Sequence, residues 1–288
     1  MPRVSVVIPT HDRRSMLERA LASVESQTFC DFEIVVADDG SSDGTGAWLH
    51  TRLPAASIVA SEKPKGAAAA RNRAIERSSG EIIAFLDDDD VWHPSFLEVQ
   101  VAQLDANLDA DLASTGHVEV DASGARRQPI LKPLHDYPDQ LTHLLAECPI
   151  HTLSVVACRR SAFTRAGMFD ESLSIVHDLE WYVRLIAGGG RTVHRAQALV
   201  ERSVPGGLVT KHRHWFDEER SVHGRAAAAL PDREQRWVRA ARALLFARAG
   251  LANGDPAFAA ARLAEAFASP VLAARIAALA MWRRLEAR

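Results

Sequence analysis

The chain has 288 residues, enough for one large α/β domain with an appended unit, because single hydrophobic cores stop growing near this size. A hydrophobic fraction of 47% and a charged fraction of 25% are ordinary for a globular protein and exclude a wholly disordered chain. The formal net charge of −3 excludes the strongly basic surface of a nucleic-acid-binding protein, whereas a small nucleotide ligand needs only local positive charge.

The cysteines and the start of the chain bear on the cellular compartment. The cysteines form no CxxC pair and have no zinc-ligand spacing, so we expect reduced thiols at Cys30, Cys148 and Cys158. The chain begins on an apolar strand without signal-peptide features, and no stretch has the roughly 18 apolar residues of a membrane span. We therefore expect a soluble, cytoplasmic protein, and the arginines near the carboxyl terminus leave peripheral contact with the inner face of the membrane open.

Short apolar runs alternate with amphipathic stretches in the first part of the chain. The apolar runs predict strands at residues 4–8, 33–37, 57–60 and 82–86. The spacing of apolar residues predicts helices at residues 15–26, 66–77 and 95–104. Alternation of buried strands with helices indicates βαβ units and a mainly parallel sheet.

The pattern changes after residue 111, where the alternation becomes less regular. Two further strands and a helix are predicted at residues 112–120, 153–158 and 178–187. From residue 215 onward the chain is almost entirely helical, and helix breaks are predicted at Pro231, Pro256 and Pro270. We therefore predict an α/β domain over residues 1–214 and a helical extension over residues 215–288.

Three polar loops follow predicted strands at their carboxyl ends. They are Pro-Thr-His at residues 9–11, Asp-Asp-Gly-Ser-Ser-Asp at residues 38–43, and four aspartates at residues 87–90. Ligands bind at the carboxyl ends of strands in open parallel sheets, so we expect one site here. Four carboxylates after a buried strand repel one another unless a cation binds, and Mg²⁺ or Mn²⁺ prefers oxygen ligands. The alternative is a solvated acidic turn.

Five segments, taken together, resemble the GT-A fold glycosyltransferases of family 2 over residues 1–210. They read VVIPTHDR at 6–13, DDGSSDGT at 38–45, GAAAARN at 66–72, GEIIAFLDDDD at 80–90, and GMFDE at 167–171 followed by HDLE at 177–180. The resemblance implies a GT-A (Rossmann-like) α/β fold, with a mixed, mostly parallel sheet flanked by helices and a C-terminal helical extension. It also implies a nucleotide-binding half over residues 1–110 and an acceptor half over residues 111–214.

The resemblance assigns roles to residues of the nucleotide-binding half. Pro9, Thr10 and His11 match the segment that lies along the base, with His11 where an aromatic ring often stacks; a structural histidine remains the alternative. Asp39 matches the carboxylate that accepts the uracil imide hydrogen. Arg71 matches a guanidinium that meets the base or the phosphates, and its alternative is an ordinary arginine on a helix surface.

The run of aspartates resembles the DXD motif of the family. Asp87 and Asp89 occupy its two acidic positions, and Asp88 stands where a small residue is usual. By the resemblance, Asp87 and Asp88 contact the nucleotide sugar, with Asp88 near the ribose, and Asp89 binds the metal. That metal, Mn²⁺ or Mg²⁺, would act as a Lewis acid on the leaving diphosphate.

Asp178 resembles the catalytic base of the family, the second member of a Glu-Asp pair that opens a helix. Here the first member is His177. A carboxylate at a helix start is also held ionised by the helix dipole, and the alternative role for Asp178 is a helix N-cap. Glu180 would point to a different face of the helix, and we expect it to pair with Arg184 four residues on.

The resemblance implies an inverting, metal-assisted transfer of a single sugar, with a UDP-sugar as the favoured donor and a glycan, a lipid-linked molecule or a small molecule as acceptor. A serine hydrolase is rejected, because Asp38 and Asp39 would oppose an oxyanion near the Gly-Ser-Ser-Asp-Gly run. A processive synthase is disfavoured by the absence of a Q-x-x-R-W motif. A nucleotidyltransferase-like enzyme, or an inactive scaffold whose helical tail binds partners, stays open, as does a homodimer.

Overall fold

A computed structural model describes residues 1–131, 140–147, 150, 152–204, 212–228, 230–252 and 254–267. The chain divides into two compact units. The first unit comprises Met1–Pro138 and Pro149–Pro205, and the second comprises Asp139–Cys148 and Gly206–Arg288. The second unit thus includes a short segment, Asp139–Cys148, that lies between two parts of the first unit along the chain, which the sequence did not indicate.

Strands and helices alternate along the first part of the chain, as predicted. The elements are β1 (Val4–Thr10), α1 (Arg14–Glu25), β2 (Phe32–Asp38), α2 (Thr45–Arg52), β3 (Ile58–Ala60), α3 (Ala67–Arg77) and β4 (Ile82–Phe85). The predicted strands and helices of this part are confirmed, and α2 is an addition. Every residue of β1 and β4 is buried, which explains why their apolar runs are continuous rather than alternating.

The next part of the chain is less regular. Its elements are β5 (Val91–Trp92), α4 (Phe96–Ala106), β6 (Leu112–Asp121), α5 (Gln140–Glu147), β7 (Val156–Arg159), α6 (Ser161–Ala166), α7 (His177–Ala187) and β8 (Thr192–Val204). The strand predicted to start at residue 153 begins three residues later, because Leu153–Val155 forms a 3₁₀ turn that the side chain of Thr152 caps. The longest strand, β8, was not predicted.

The strands form one sheet in the order β3-β2-β1-β4-β7-β6-β8-β5. The neighbours β1–β2, β2–β3, β1–β4 and β6–β8 are parallel, and β4–β7, β6–β7 and β5–β8 are antiparallel. The sheet is therefore mixed and mostly parallel, as the resemblance implied. The carboxyl ends of β1, β2 and β4 lie side by side, which brings the three polar loops to one edge.

An aromatic cluster packs against the centre of the sheet and supports α7. The ring of Phe85 in β4 meets Phe163 and Phe169 edge-to-face at centroid distances of 6.3 and 5.8 Å. Trp181 of α7 stacks on Phe163 at 4.8 Å and is fully buried. Burying each such side chain contributes about 1.5–3 kcal/mol, so these ring contacts stabilise the packing of α7 against the sheet.

The second unit is helical in the residues described. Besides α5 it contains α8 (His212–Ala227), α9 (Asp232–Ala252) and α10 (Pro256–Phe267). The ring of His223 lies between the backbone carbonyl oxygens of Glu219 and Leu145, 2.8 Å from each, and so ties α8 to α5. The predicted breaks at Pro231 and Pro256 are confirmed at the starts of α9 and α10.

The described residues include two of the three cysteines and allow a search for membrane-spanning helices. Cys30 is an exposed free thiol and Cys158 a buried one. In the part of the chain that the structure describes, no helix is both long enough and apolar enough to cross a membrane. Cys148, the break at Pro270 and the arginines near the carboxyl terminus lie outside the described residues.

Candidate functional site

Hydrogen bonds join the three polar loops at the carboxyl edge of the sheet. The Oγ1 of Thr10, at the end of β1, donates to Oδ2 of Asp88 after β4, at 2.7 Å. The backbone N–H of Asp39, after β2, donates to the carbonyl oxygen of Thr10 at 2.9 Å. The loops after β1, β2 and β4 therefore form one connected structure, as expected from the parallel strands.

The first loop is fixed to the second by Asp12. Its backbone has a φ of 51°, and its carboxylate accepts the N–H groups of Ser42 at 2.6 Å and Asp43 at 3.2 Å. Pro9 and Thr10 are buried. His11 is exposed, with its Nε2 3.5 Å from the carboxylate of Asp12, so its ring is free of core packing and accessible to a ligand. Its stacking role stays a prediction.

The carboxylate of Asp39 is held by four donors of this chain. Oδ2 accepts the backbone N–H groups of Lys65 at 2.8 Å and Gly66 at 2.7 Å. Oδ1 accepts from Arg73 at 2.8 Å and from the hydroxyl of Ser61 at 3.2 Å. Burial acts to raise the pKa of Asp39, but these donors, Arg73 first, outweigh it and hold the pKa below its ordinary value.

Gly40, the residue after Asp39, allows the neighbouring loop to approach the carboxylate. Gly40 has a φ of +76°, and a Cβ there would lie 2.9 Å from the backbone of Lys63 and Pro64. Only glycine allows the turn after β2 to press against this neighbouring loop. The contact brings Lys65 and Gly66 to the carboxylate, so Asp39 and Gly40 anchor the start of α3. The predicted contact of Asp39 with uracil stays a prediction.

The first and last of the four aspartates are held by protein groups. Asp87 forms an ion pair with Arg71, and its backbone N–H donates to the hydroxyl of Ser154 at 3.0 Å. Burial acts to raise the pKa of Asp87, but Arg71 outweighs it and the pKa is lowered. Asp90 accepts the N–H of Ser203 at 2.9 Å, and burial together with Asp87 raises its pKa to about 8. Asp90 is therefore a buried structural carboxyl, not a free ligand.

The middle two aspartates share one cation. Nη1 of Arg13 lies 3.1 Å from Oδ1 of Asp88 and 3.2 Å from Oδ2 of Asp89. Burial raises the pKa of Asp88 above its ordinary value. Burial, and then the charges of Asp87 and Asp88, raise the pKa of Asp89 to about 6. The acidic turn therefore has more negative charge than its protein cations balance.

This excess negative charge fits a divalent cation at Asp89, whose side chain remains 27% exposed. In the described residues, no three histidine, cysteine or acidic side chains are grouped so that they could hold a metal by themselves. Mg²⁺ is commonly held by one or two carboxylates, together with water and substrate phosphates. The donor set therefore fits a metal that the protein holds through Asp89 and that completes its coordination with a bound diphosphate.

Arg71 is buried between two polar partners rather than exposed on a helix surface. Its residue is 5% exposed, Nη1 lies 2.6 Å from Nε2 of His177, and Nη2 pairs with Asp87. The alternative of an ordinary surface arginine is therefore wrong. Arg71 joins the acidic turn after β4 to the first residue of α7, while its predicted contact with the base or phosphates stays a prediction.

Asp178 is the second residue of α7, and the N-cap position is Val176, so the N-cap alternative is wrong. The carboxylate of Asp178 accepts the N–H of Leu179 at 2.7 Å. Burial raises the pKa of Asp178 to about 6, against the opposing effects of this N–H and of Arg71. Burial thus makes Asp178 less acidic than an ordinary aspartate, and the expected effect of the helix dipole stays a prediction.

The predicted pair Glu180–Arg184 is confirmed, with Nε of Arg184 2.7 Å from Oε1 of Glu180. Arg184 also donates to the carbonyl oxygen of Met168 at 2.7 Å, and the indole N–H of Trp181 donates to that of Gly167 at 2.9 Å. These bonds fix the Gly-Met-Phe-Asp-Glu segment against α7. Asn72 of α3 holds the same segment from the other side, through both backbone groups of Phe169 at 3.0 Å.

Sequence reasoning missed three groups that shape the site. Arg13 follows the first loop directly, so its contact with the aspartates could have been inferred from the shared sheet edge. Arg73 lies two positions after Arg71 and therefore faces a different side of α3, towards Asp39. The bond between Ser203 and Asp90 spans 113 residues of sequence, and no local pattern indicates it.

Two concave regions flank the sheet. One, of about 370 Å³, adjoins the candidate site and is lined by the start of α1 with Asp12, Arg13 and Asp43. The other, of about 760 Å³, lies at the opposite edge, where the strands begin, beside Arg3, Gly80 and Arg160. Its arginines are paired within the fold, and none of the candidate site residues lines it.

Comparison with known proteins places this geometry in a family context. A family model described as "Glycosyl transferase family 2" matches residues 5–166. The UDP-Glc:alpha-D-GlcNAc-diphosphoundecaprenol beta-1,3-glucosyltransferase WfgD of Escherichia coli is 37% identical over 105 residues, 35% of this chain and 40% of that protein. The putative teichuronic acid biosynthesis glycosyltransferase TuaG of Bacillus subtilis is 39% identical over 106 residues, 35% of this chain and 41% of that protein. The matches span about two fifths of the relatives' own length.

Solved structures share the fold. S. aureus TarS 1-349 in complex with UDP-GlcNAc has a TM-score of 0.62 at 16% identity, covering 96% of this chain and 92% of that chain. The mannosyltransferase PcManGT from Pyrobaculum calidifontis, in complex with GDP-Man and Mn²⁺, has a TM-score of 0.59 at 22% identity, covering 97% of this chain and 80% of that chain. The GT-A fold predicted from the sequence is therefore confirmed.

Proposed function

Because the chain belongs to glycosyl transferase family 2, we propose that it transfers a single sugar from a nucleotide-sugar donor to an acceptor hydroxyl. One observation carries this proposal. Asp178, a carboxylate with a pKa raised by burial to about 6, follows His177, which Arg71 links to Asp87 of the acidic turn. The candidate base thus directly follows a residue that Arg71 connects to the candidate donor site.

The favoured donor is a UDP-sugar. WfgD is named for UDP-Glc, and TarS structures contain UDP or UDP-GlcNAc, whereas the PcManGT complex contains GDP-Man. In this chain, the base would lie along Pro9, Thr10 and His11, with Asp39 as the reader of uracil and Arg71 near the base or the phosphates. Asp87 and Asp88 would contact the sugar nucleotide, with Asp88 at the ribose. The exposed ring of His11 supports this arrangement.

The proposed cofactor is Mn²⁺ or Mg²⁺, held by Asp89. The raised pKa of Asp89, caused by burial and by the charges of Asp87 and Asp88, supports a cation at this carboxylate. The PcManGT complex contains Mn²⁺. When bound, the metal would neutralise negative charge on the leaving diphosphate.

The proposed mechanism is an inverting single displacement. The acceptor hydroxyl loses its proton to Asp178 as its oxygen bonds to the anomeric carbon, and the bond to the nucleoside diphosphate breaks on the opposite face. One carboxylate base suffices for this reaction, whereas a retaining double displacement also needs a nucleophile beneath the sugar. A pKa of about 6 lets Asp178 be ionised at neutral pH and still take a proton more readily than an ordinary aspartate.

We assign nucleotide binding to residues 1–110, acceptor binding to residues 111–214 and a supporting role to the helical extension over residues 215–288. The acceptor class is a glycan, a lipid-linked molecule or a small molecule. The name of WfgD, which includes a diphosphoundecaprenol acceptor, supports the lipid-linked class. A homodimer and contact with the membrane surface are compatible with this function.

A thermal-shift screen of nucleotides and nucleotide sugars tests the proposal. At a hundred times its dissociation constant, a ligand that binds only the folded state adds about 2.7 kcal/mol to stability. We expect UDP to stabilise the protein more with Mn²⁺ or Mg²⁺ than with EDTA. Equal stabilisation in EDTA would contradict the metal role of Asp89, and preference for GDP would overturn the donor assignment. Stabilisation without transfer to any acceptor class would favour an inactive scaffold.

A further inference from the structure

The contact between Arg71 and His177 bears on which ring nitrogen of the histidine accepts a hydrogen bond. Nη1 of Arg71 lies 2.6 Å from Nε2 of His177, and the two residues are 5% and 6% exposed. A guanidinium is always charged in proteins and can only donate hydrogen bonds. The Nε2 atom must therefore accept, which requires a neutral imidazole with its proton on Nδ1.

Arg71 has two partners of different charge. Its Nη2 pairs with the carboxylate of Asp87, and its Nη1 meets the neutral ring of His177. A carboxylate at position 177 would compete with Asp87 for the guanidinium, because both would attract the same charge. A neutral acceptor instead orients the guanidinium and leaves its charge to Asp87.

The ring of His177 is itself held in place. Phe169 meets it edge-to-face, with ring centroids 5.9 Å apart and planes at 89°. Phe169 in turn is bonded through its backbone to Asn72, the residue after Arg71 on α3. The imidazole therefore has a defined orientation towards Arg71: α3 contacts the start of α7 through Arg71, and it holds the Phe169 segment that packs on the ring through Asn72.

We propose that His177 is a positioning residue whose neutral Nε2 holds Arg71 against Asp87, and thereby fixes the acidic turn relative to Asp178. The inference rests on the proposed sugar transfer, because Asp178 matters as the base of that reaction. Its physical basis is the chain of contacts Asp87–Arg71–His177, which ends one residue before Asp178. Catalysis is sensitive to such links, since a 1 Å misplacement of a reacting group can cost about a hundredfold in rate.

The test compares His177→Gln, whose amide oxygen can accept in place of Nε2, with His177→Leu, which cannot. We expect kcat to fall by about tenfold to a hundredfold in the leucine variant and to stay near the wild-type value in the glutamine variant. UDP affinity should change less than kcat. His194→Leu serves as the control, since His194 is a part-buried histidine bonded to Ser114 outside the site.

A double-mutant cycle with Arg71→Met identifies the partner. If His177 acts through Arg71, the double variant should be no slower than Arg71→Met alone, whereas independent residues give multiplicative losses. A histidine that only fills space predicts equal losses in the glutamine and leucine variants, in parallel with their melting temperatures. Equal losses in the glutamine and leucine variants, or multiplicative losses of kcat in the double variant, would overturn the proposal.

The tautomer is measurable without any substrate, by ¹⁵N NMR of the imidazole in the free protein. We expect the proton of His177 on Nδ1, with the His177→Gln variant assigning the signal. A proton on Nε2 would overturn the inference whatever the activity of the enzyme. Absence of sugar transfer in a wild-type protein with the expected tautomer would overturn the proposed function, and with it the positioning role.

Discussion

Two aspartates of the first unit, Asp39 and Asp178, have pKa values that their surroundings shift in opposite directions. Asp39 is buried and Asp178 is part-buried, and in both cases desolvation alone acts to raise the pKa of the carboxyl. Asp39 has four donors, including the guanidinium of Arg73, and its pKa is lowered. Asp178 accepts the N–H of Leu179, and its pKa is raised to about 6. The number and charge of the donors therefore decide whether a buried carboxylate is a fixed anion or keeps its affinity for a proton.

The same contrast recurs within four consecutive residues. Asp87 pairs with Arg71, which outweighs burial and lowers its pKa, whereas burial raises the pKa of Asp89 to about 6 and that of Asp90 to about 8. Adjacent aspartates after one strand thus have separate tasks. Asp90 accepts a hydrogen bond from Ser203 of β8, whereas Asp89 has a partly exposed side chain and shares Arg13 with Asp88.

The largest expected effect is that of Asp178→Asn on catalysis. The amide keeps the size of the side chain but cannot take the acceptor proton, so transfer should fall by about 10²–10⁴-fold, the usual contribution of a general base. Initial rates of UDP release measure this loss, and UDP binding should survive. Asp121→Asn, at the part-buried end of β6 and outside the candidate site, is the control. Near-normal turnover, or a product that retains the anomeric configuration of the donor, would refute the assignment.

The pH dependence of transfer should follow the raised pKa of Asp178. The base acts only when ionised, so kcat should fall about tenfold for each pH unit below 6. The free energy of unfolding should change in the opposite direction and rise as the pH falls. Because the folded state holds this proton more tightly than the unfolded chain, the ionised carboxylate costs stability above pH 6, and the cost disappears as the pH falls towards 3.8.

Melting curves across pH check this sign. Asp178→Asn should melt at a higher temperature than the wild type at pH 8, and the gain should shrink as the pH falls below 6. An Asp178→Asn variant that is less stable than the wild type at pH 8 would show that the carboxylate is stabilised by its surroundings, as Asp39 is. The surroundings of Asp39 and Asp178 would then not shift the two pKa values in opposite directions.

For Asp39 we expect a loss of stability rather than a gain. Asparagine removes the anionic acceptor of Arg73, and its NH2 group replaces one of the two oxygens that accept the four donors, which costs about 1–3 kcal/mol. Urea denaturation measures the change, with the exposed Asp31→Asn as control. Because the pKa of Asp39 is lowered, its contribution is complete above the ordinary value of 3.8 and is lost as the pH falls through the native value. Unchanged stability would show that the donors are not needed.

The sequence indicated the sheet edge but not the partners that meet there. Buried strands such as β1 and β4 appear as continuous apolar runs, and the carboxyl ends of parallel strands must lie side by side, so the positions of the polar loops could be predicted. The pKa of Asp178 could not, because it depends on burial by elements distant in sequence.

The longest strand escaped prediction for a physical reason. In β8, residues Arg195 to Gln197 are exposed, and a register irregularity separates the part paired with Thr115 from the part paired with His117. The alternation of apolar and polar residues is therefore broken in the middle of the strand, and no periodic pattern extends over it. Tertiary pairing with β6, not local preference, forms this strand.

The smallest expected effect concerns Arg13, which shares its Nη1 between Asp88 and Asp89. A metal at Asp89 competes with this guanidinium for the same oxygen atoms. Because an exposed ion pair contributes at most about 1 kcal/mol, Arg13→Gln should tighten the binding of Mn²⁺ alone by about fivefold. Arg13→Lys, which keeps the charge, should bind Mn²⁺ with an affinity near that of the wild type.

Calorimetric titration with Mn²⁺ in the absence of nucleotide measures the change in affinity. Arg14→Gln is the control, since Arg14 lies over the ring of Trp48 at 5.4 Å. Equal affinities in the Arg13 and Arg14 glutamine variants would show that the acidic turn binds metal independently of Arg13.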